Sequence, residues 1–149
     1  MPSPDHINHV IQLAQRAFDE GEFPVGAIVC QGNRIIGTGN NQKERRKDPT
    51  AHAEIIALRH ACESIGDWRL THCQLITTLE PCPMCLGAAL QARIASIVFL
   101  ANDIRWGACG SIMDFSNHPH INHHCQTQYY PNDTVVDLMR SFFHRIGKR

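Results

Sequence analysis

The sequence lacks net charge, long apolar runs and low-complexity segments. Its 149 residues contain 14 Lys and Arg against 14 Asp and Glu, so no overall positive field indicates a nucleic-acid partner. No apolar run approaches the roughly 18 residues of a membrane span, and the N-terminal segment has no apolar signal-peptide core. No Pro-, Gly- or Ser-rich linker divides the chain. These absences predict a single cytoplasmic domain over residues 1–149 that has no membrane partner.

Histidine and cysteine are the residues present in excess. The chain contains ten His and seven Cys. An odd number of cysteines in a chain without a signal peptide fits reduced thiols better than a disulfide framework. Some of these residues are therefore candidates for metal ligands.

Helical and strand-like patterns alternate along the chain. Apolar residues recur at helical spacing over 5–20, 51–62, 83–92 and 132–145. Strand-like patterns cover 25–30, 34–39, 74–79, 95–101 and 125–129, and residues 40–49 are expected to form a charged loop. This alternation predicts an α/β protein, a three-layer α/β/α sandwich around a mixed sheet of roughly five short strands.

Two short segments, 50–54 and 80–85, carry residue types that bind metals. Pro83 suits the first position of a helix, which makes Cys82 the N-cap and places Cys85 one turn further along the same face. Both thiols then lie in the first turn, where the helix dipole and unpaired N–H groups favour the thiolate form. Thiolates placed in this way are good zinc ligands.

His52 and Glu54 lie at the start of the helix predicted for residues 51–62. On a regular helix their side chains point about 200° apart, so both serve one site only if it lies beyond the helix N-terminus. His52, Cys82 and Cys85 supply three protein ligands, and a catalytic zinc site leaves the fourth position to water. Zinc lowers the pKa of that water to about 7, and Glu54 is placed to shuttle its proton. We expect one Zn²⁺ per subunit.

Two alternative roles for the cysteine pair stay open. A thioredoxin-like redox pair also has the Cys-x-x-Cys pattern, although it gives the nearby His and Glu no role. A structural zinc site would need a fourth ligand, for which Cys109, Cys125 or a late His is a candidate.

The combination His-x-Glu and Pro-Cys-x-x-Cys is the signature of the zinc nucleobase deaminases. The chain resembles the bacterial tRNA-specific adenosine deaminases of that superfamily, in segments that follow the family's order: 23–27, 39–41, 48–54, 107–111 and 118–123. The resemblance implies a cytidine deaminase-like fold and hydrolysis of the wobble adenosine of tRNA to inosine. It also implies a homodimer that binds the tRNA anticodon loop.

The same resemblance implies roles for four residues around the metal. Asn41 matches an asparagine whose amide reads the purine ring, and the backbone N–H of Ala53 holds the same base. Phe23 lines the pocket wall, and Asp103 lies near the nucleotide backbone. The simpler interpretations are that Asn41 is a turn residue, Phe23 a core residue and Asp103 a surface charge.

Trp106 departs from the family pattern, in which a smaller or basic residue is expected. It could stack on a base, or it could mark a different substrate. One rival function is therefore a zinc deaminase of a free base or nucleoside of the guanine or cytosine type, which segments 107–111 and 118–123 oppose. The other rival is a non-catalytic, zinc-bearing subunit of a heterodimer, against which Glu54 counts.

The remaining His, Cys and charged residues are assigned simpler roles. The late histidines are expected to bond backbone or contact phosphate rather than hold a second metal, and the surplus thiols to fill the core. Basic residues dominate 34–47 and 140–149, which would give salt-dependent contacts with phosphates, whereas 5–22 is acidic. The late histidines are His118, His120, His123 and His124, and the surplus thiols are Cys30, Cys62, Cys73 and Cys125.

Overall fold

Helices and strands alternate along the computed structural model, which describes residues 2–147. The helices in this range are α1 (Pro4–Asp19), α2 (Lys43–Arg46), α3 (Ala53–Ile65), α4 (Pro83–Gln91) and α5 (Asp133–Ile146). The strands are β1 (Gly26–Gln31), β2 (Arg34–Asn40), β3 (Cys73–Thr77), β4 (Ser96–Phe99) and β5 (Gln126–Tyr129). None of these helices is both long enough and apolar enough to cross a membrane.

The five strands form one mixed sheet in the order β2-β1-β3-β4-β5. Strand β1 pairs antiparallel with β2 and with β3, whereas β3, β4 and β5 run parallel. The carboxyl ends of parallel strands meet at one edge of a sheet, which is where α/β proteins place their ligands. The segment 78–82 leaves β3 at this edge, and the segment 100–111 leaves β4 beside it.

Glycines in β1 and β2 set how closely the helices approach the sheet. A Cβ at Gly26 would overlap α1, and a Cβ at Gly39 would overlap α3 at the carbonyl oxygen of Ala53. Gly39 pairs with Ala27, the neighbour of Gly26, so the two glycines face opposite sides of the sheet. Helix α5 contacts α1 on one side, and α4 contacts α3 on the other. The predicted three-layer α/β/α sandwich is therefore confirmed.

Local polar contacts explain two differences from the predicted elements. Residues 43–46 form α2 rather than loop, because the buried carboxylate of Glu22 accepts the N–H groups of Glu44 and Arg45, at 2.9 and 2.7 Å. The helix predicted from residue 51 begins instead at Ala53. Its N-cap, His52, has extended backbone (φ −76°, ψ 151°) and lies outside the helix.

Gly39→Ala is expected to destabilise the protein by about 1–3 kcal/mol, as overpacking of a closely packed contact does. The new methyl group would push α3 away from the sheet, since it would also lie 2.7 Å from the backbone nitrogen of Ala57. Urea denaturation measures the change. The matched control is Gly87→Ala in α4, where nothing lies within 4 Å of the added Cβ and helix propensity predicts a gain of about 0.5–1 kcal/mol. An unchanged midpoint for Gly39→Ala would contradict the tight packing.

Candidate active site

Two helix N-termini converge at the edge of the sheet. His52 is the N-cap of α3 and Cys82 the N-cap of α4, and neither side chain bonds to its own helix. Both side chains turn instead toward a common point, where Cys85, from the first turn of α4, joins them. His52 Nδ1 lies 3.7 Å from the Sγ of Cys82 and 3.5 Å from that of Cys85. The predicted geometry, a site beyond the helix ends, is what the structure contains.

These three side chains fit a zinc ion. Their ligand atoms all lie within 4.8 Å of one another. One imidazole and two thiols at 2.0–2.3 Å from a tetrahedral zinc would lie roughly 3.6–3.8 Å apart, close to the distances found. Within residues 2–147 no other group of three or more potential ligands occurs, and no fourth such residue joins this one. Three ligands correspond to an open, catalytic type of site and leave the structural alternative without its fourth ligand.

The two thiols differ in their electrostatic environment. The hydrogen bond from the Cys85 thiol, together with that from His52, lowers the pKa of Cys82 to about 4. The pKa of Cys85 is raised, because its thiol donates that bond and is buried. Both shifts arise mainly from the contact between the two thiols, and the expected effect of the helix N-terminus on them stays a prediction. A bound metal ion deprotonates a coordinating thiol outright.

Glu54 lies beside the three ligands in the first turn of α3. Only 4% of its surface is exposed, and this burial raises the pKa of its carboxyl to about 7. Because His52 precedes the helix, its side chain and that of Glu54 reach the same cavity despite the helical angle between them. A carboxyl group in such surroundings can both accept and release a proton near neutral pH.

A cavity of about 1010 Å³ opens above the His52 and Cys82 side chains. Its volume is at the upper end of the range found for small-molecule sites, so it can admit a whole nucleotide. Aromatic side chains from three separate segments, Phe23, Trp106 and Phe142, form much of its wall. Lys43 and Arg105 also line it.

All four substrate-binding residues predicted from the resemblance lie in the wall of this cavity: Phe23, Asn41, Ala53 and Asp103. Ala53 is the first residue of α3, so its N–H has no acceptor within the helix. Asn41 is buried, and its amide lies 3.3 Å from the carbonyl oxygen of Phe23. Phe23 packs edge-on against Phe142, with ring centroids 5.2 Å apart. Phe23 therefore belongs to both the cavity wall and the packing against α5.

The carboxylate of Asp103 is occupied by its own turn. Its Oδ1 accepts the N–H groups of Arg105 and Trp106, at 2.9 and 3.2 Å. The side chain therefore shapes residues 103–106, which is more than the surface charge of the simpler interpretation.

A buried carboxylate that sequence reasoning overlooked holds this turn from inside. Glu80 is 1% exposed and accepts N–H groups from Asp103, Cys109 and Ser111 at 2.9–3.1 Å, as well as the Ser111 hydroxyl. A Cβ at Gly107 would overlap the Glu80 carboxylate. In the same way, the Glu22 carboxylate accepts backbone N–H groups of α2, which also lines the cavity. Position was the only clue in the sequence, since Glu80 directly precedes the cysteine motif and Glu22 precedes Phe23.

Three of the four late histidines bond to backbone through their side chains, in agreement with the sequence interpretation. His123 Nε2 lies 2.7 Å from the carbonyl oxygen of Ile94, and His124 Nε2 lies 3.0 Å from that of His118. His118 Nδ1 accepts the N–H of His120. All seven cysteines fall in the described range and are free thiols. Of the four expected to fill the core, Cys30, Cys73 and Cys125 are buried, whereas Cys62 is half-buried.

Comparison with known proteins places this geometry in a family. Residues 3–101 match the cytidine and deoxycytidylate deaminase zinc-binding region. The tRNA-specific adenosine deaminase of Aquifex aeolicus is 40% identical over 136 residues, which is 91% of this chain and 90% of that protein.

Solved structures support the same placement. A tRNA:A34 deaminase that carries out A-to-I editing at the wobble position superposes with a TM-score of 0.86 at 33% identity, covering 91% of this chain and 99% of that one. The guanine deaminase of Bacillus subtilis gives 0.66 at 28% identity, covering 97% and 95%. Sequence identity over most of the chain is thus higher with the tRNA enzymes. The chain belongs to the zinc-binding cytidine and deoxycytidylate deaminase superfamily and, within it, to the family of tRNA-specific adenosine deaminases.

Proposed function

We propose that the protein deaminates the wobble adenosine of a tRNA anticodon loop to inosine by hydrolysis. The observation that carries the proposal is the open three-ligand site with a buried carboxylate beside it, at the floor of a cavity large enough for a nucleotide. The similarity to adenosine deaminases that act on tRNA supports tRNA as the substrate class. We also propose a cytoplasmic location, where such an enzyme would meet tRNA.

His52, Cys82 and Cys85 would hold the zinc ion, one per subunit. When bound, zinc supplies a water activated for attack at neutral pH. Glu54 carries out the proton transfers. Its carboxylate takes a proton from the attacking water and delivers it to the ring nitrogen beside C6. After the new C6–O bond has formed, Glu54 takes the remaining proton from the C6 hydroxyl and passes it to the amino group. The C6–N bond breaks, ammonia leaves and the base becomes hypoxanthine.

The wall of the cavity orients the base for this reaction. The N–H of Ala53 points out of the helix start and can donate to a ring nitrogen, and the amide of Asn41 can add a second polar contact with the purine. Phe23 covers a face of the cavity from the side of α5. Because a stacked base cannot reach the floor, the nucleotide must be splayed out of the anticodon loop, at a cost of a few kcal/mol.

Two features favour RNA over a free base. The cavity is open to solvent on the side of Trp106, which leaves room for neighbouring nucleotides. Lys43 and Arg105 line it on α2 and on the turn 103–106, where they can meet phosphates. A deaminase of free bases would need neither room for neighbouring nucleotides nor cations for phosphates.

The assay that tests the function uses purified protein with an anticodon stem-loop that carries a wobble adenosine, and in parallel with free nucleosides and bases. Inosine is expected in the stem-loop alone. Ammonia produced only from a free base would contradict the proposal and favour the guanine or cytosine type of deaminase.

Glu54→Gln is expected to lower kcat on the stem-loop by at least about a hundredfold, since general acid–base catalysis contributes 10²–10⁴. The matched control is Glu63→Gln, which changes an exposed carboxylate on the same helix and should leave kcat unchanged. If wild type and Glu54→Gln are equally inactive on every substrate, the non-catalytic subunit becomes the better interpretation.

Cys82→Ala is expected to lose zinc and to lower Tm, because ligands that bind only the native state stabilise it. Zinc per chain is measured by elemental analysis after purification, and Tm by circular dichroism. Cys62→Ala, which removes a half-buried thiol outside the ligand group, should retain the metal. Stoichiometric zinc in Cys82→Ala would overturn this ligand set.

We also propose that the protein is a homodimer in which both subunits contribute to the tRNA surface. Ile112 and Met113 are exposed apolar side chains of the kind that subunit interfaces bury. Sedimentation equilibrium is expected to give about 34 kDa, twice the mass of one chain, as for a two-fold dimer. A mass that stays at 16.8 kDa over the accessible concentrations would contradict the dimer.

A further inference from the structure

Trp106 is the residue whose position the fold does not explain. Its side chain is 67% exposed, on the wall of the active-site cavity, so it contributes little to the core. Exposing an indole to water gives up the hydrophobic stabilisation that its burial would provide. Large exposed aromatic side chains at a cavity are typical of binding surfaces.

The turn that carries Trp106 is rigid. Its backbone N–H bonds to Asp103, the N–H of Gly107 donates to the carbonyl oxygen of Asp103 at 2.9 Å, and Glu80 anchors the segment from inside. No hydrogen bond in the described residues involves the Trp106 ring. The backbone that carries the indole is thus held in place, while the ring itself stays largely exposed.

The surroundings of Trp106 match what single-stranded RNA requires. Arg105 lies next to it, and its guanidinium group is 4.5 Å from the centre of the Phe143 ring, which ties the turn to α5. Lys43 supplies a second positive charge to the same cavity. Aromatic faces for bases combined with cations for phosphates are the recurring means of binding unpaired nucleotides.

We propose that Trp106 is a specificity-determining residue that stacks on a nucleobase adjacent to the target adenosine. The inference rests on the proposed function and deepens it. When the target base enters the cavity it loses its stacking partners in the loop, and its neighbour loses one as well. The indole replaces that lost partner at the mouth of the cavity. Stacking of this kind tolerates any base and favours RNA over a free nucleoside, which has no adjacent base.

Kinetics on the stem-loop give the first test. Trp106→Ala is expected to raise KM about tenfold, equivalent to about 1.4 kcal/mol, with kcat little changed. Trp106→Phe keeps an aromatic face and should recover most of the loss. The matched control is Trp68→Ala, which removes the other tryptophan, 53% exposed and beyond the end of α3 that is opposite His52. A fall in kcat with KM unchanged, or an equal effect of Trp68→Ala, would overturn the proposal.

Fluorescence gives a second test that does not depend on turnover. In the double variant Trp68→Phe, Glu54→Gln, Trp106 is the only tryptophan. Titration with a single-stranded oligoribonucleotide containing one adenosine should quench its emission, because a stacked base quenches indole. The same RNA with abasic sites on both sides of the adenosine should leave the emission bright. Trp106 emission that stays bright with the intact RNA, at concentrations at which the anisotropy of the RNA shows saturated binding, would refute stacking. The absence of any binding would refute it as well.

If the RNA quenches Trp106 emission in the double variant but the wild-type protein never deaminates the stem-loop, the proposed reaction fails while the RNA-stacking role of Trp106 stands. If deamination proceeds and emission stays unchanged, the reaction stands and the role of Trp106 fails. The two conclusions are therefore distinguishable.

Discussion

The convergence of two helix N-termini on three ligand atoms is the constraint on which the rest of the site depends. Helix N-termini carry partial positive charge, so two of them pointing at one place is a poor environment for a cation. Anionic ligands reverse this balance, because a thiolate is stabilised by the helix start and then binds the metal. The position of Cys82 as N-cap of α4 serves both purposes. The same helix starts leave free N–H groups for a substrate, of which that of Ala53 is one.

The close packing of α3 on the sheet turns this local arrangement into a defined geometry. Glycine at 37 and at 39 allows the backbone of α3 to approach β2 more closely than any side chain would permit. His52, Ala53 and Glu54 all lie at the end of α3 nearest this contact. The His52 imidazole, the N–H of Ala53 and the Glu54 carboxyl therefore move together if the helix moves, and the glycines fix all three at once.

Periodicity and spacing predicted most of the fold and the centre of the site. The other nine elements lie within a few residues of their predicted ranges, since most have a clear apolar pattern or a start signal such as Pro83. Helix α2 was missed because its support is tertiary: its N–H groups are bound by Glu22, 22 residues away. Glu80 was missed for the same reason. A buried carboxylate is recognisable only when its distant N–H partners are known, and no periodic pattern encodes them.

The two buried carboxylates also bear on how a chain without net charge could bind the RNA proposed as its substrate. Glu22 and Glu80 are charged groups in the total, but their oxygens are occupied by backbone N–H groups and face inward. Each holds a segment that presents positive charge to the cavity, α2 with Lys43 and the turn with Arg105. The total charge of the chain therefore counts two acids that solvent does not meet, although other acidic residues, such as Glu44 and Asp103, line the cavity together with Lys43 and Arg105. Electrostatic attraction of phosphates there depends on which charges face the solvent, and these two acids face the protein and hold the basic segments in place.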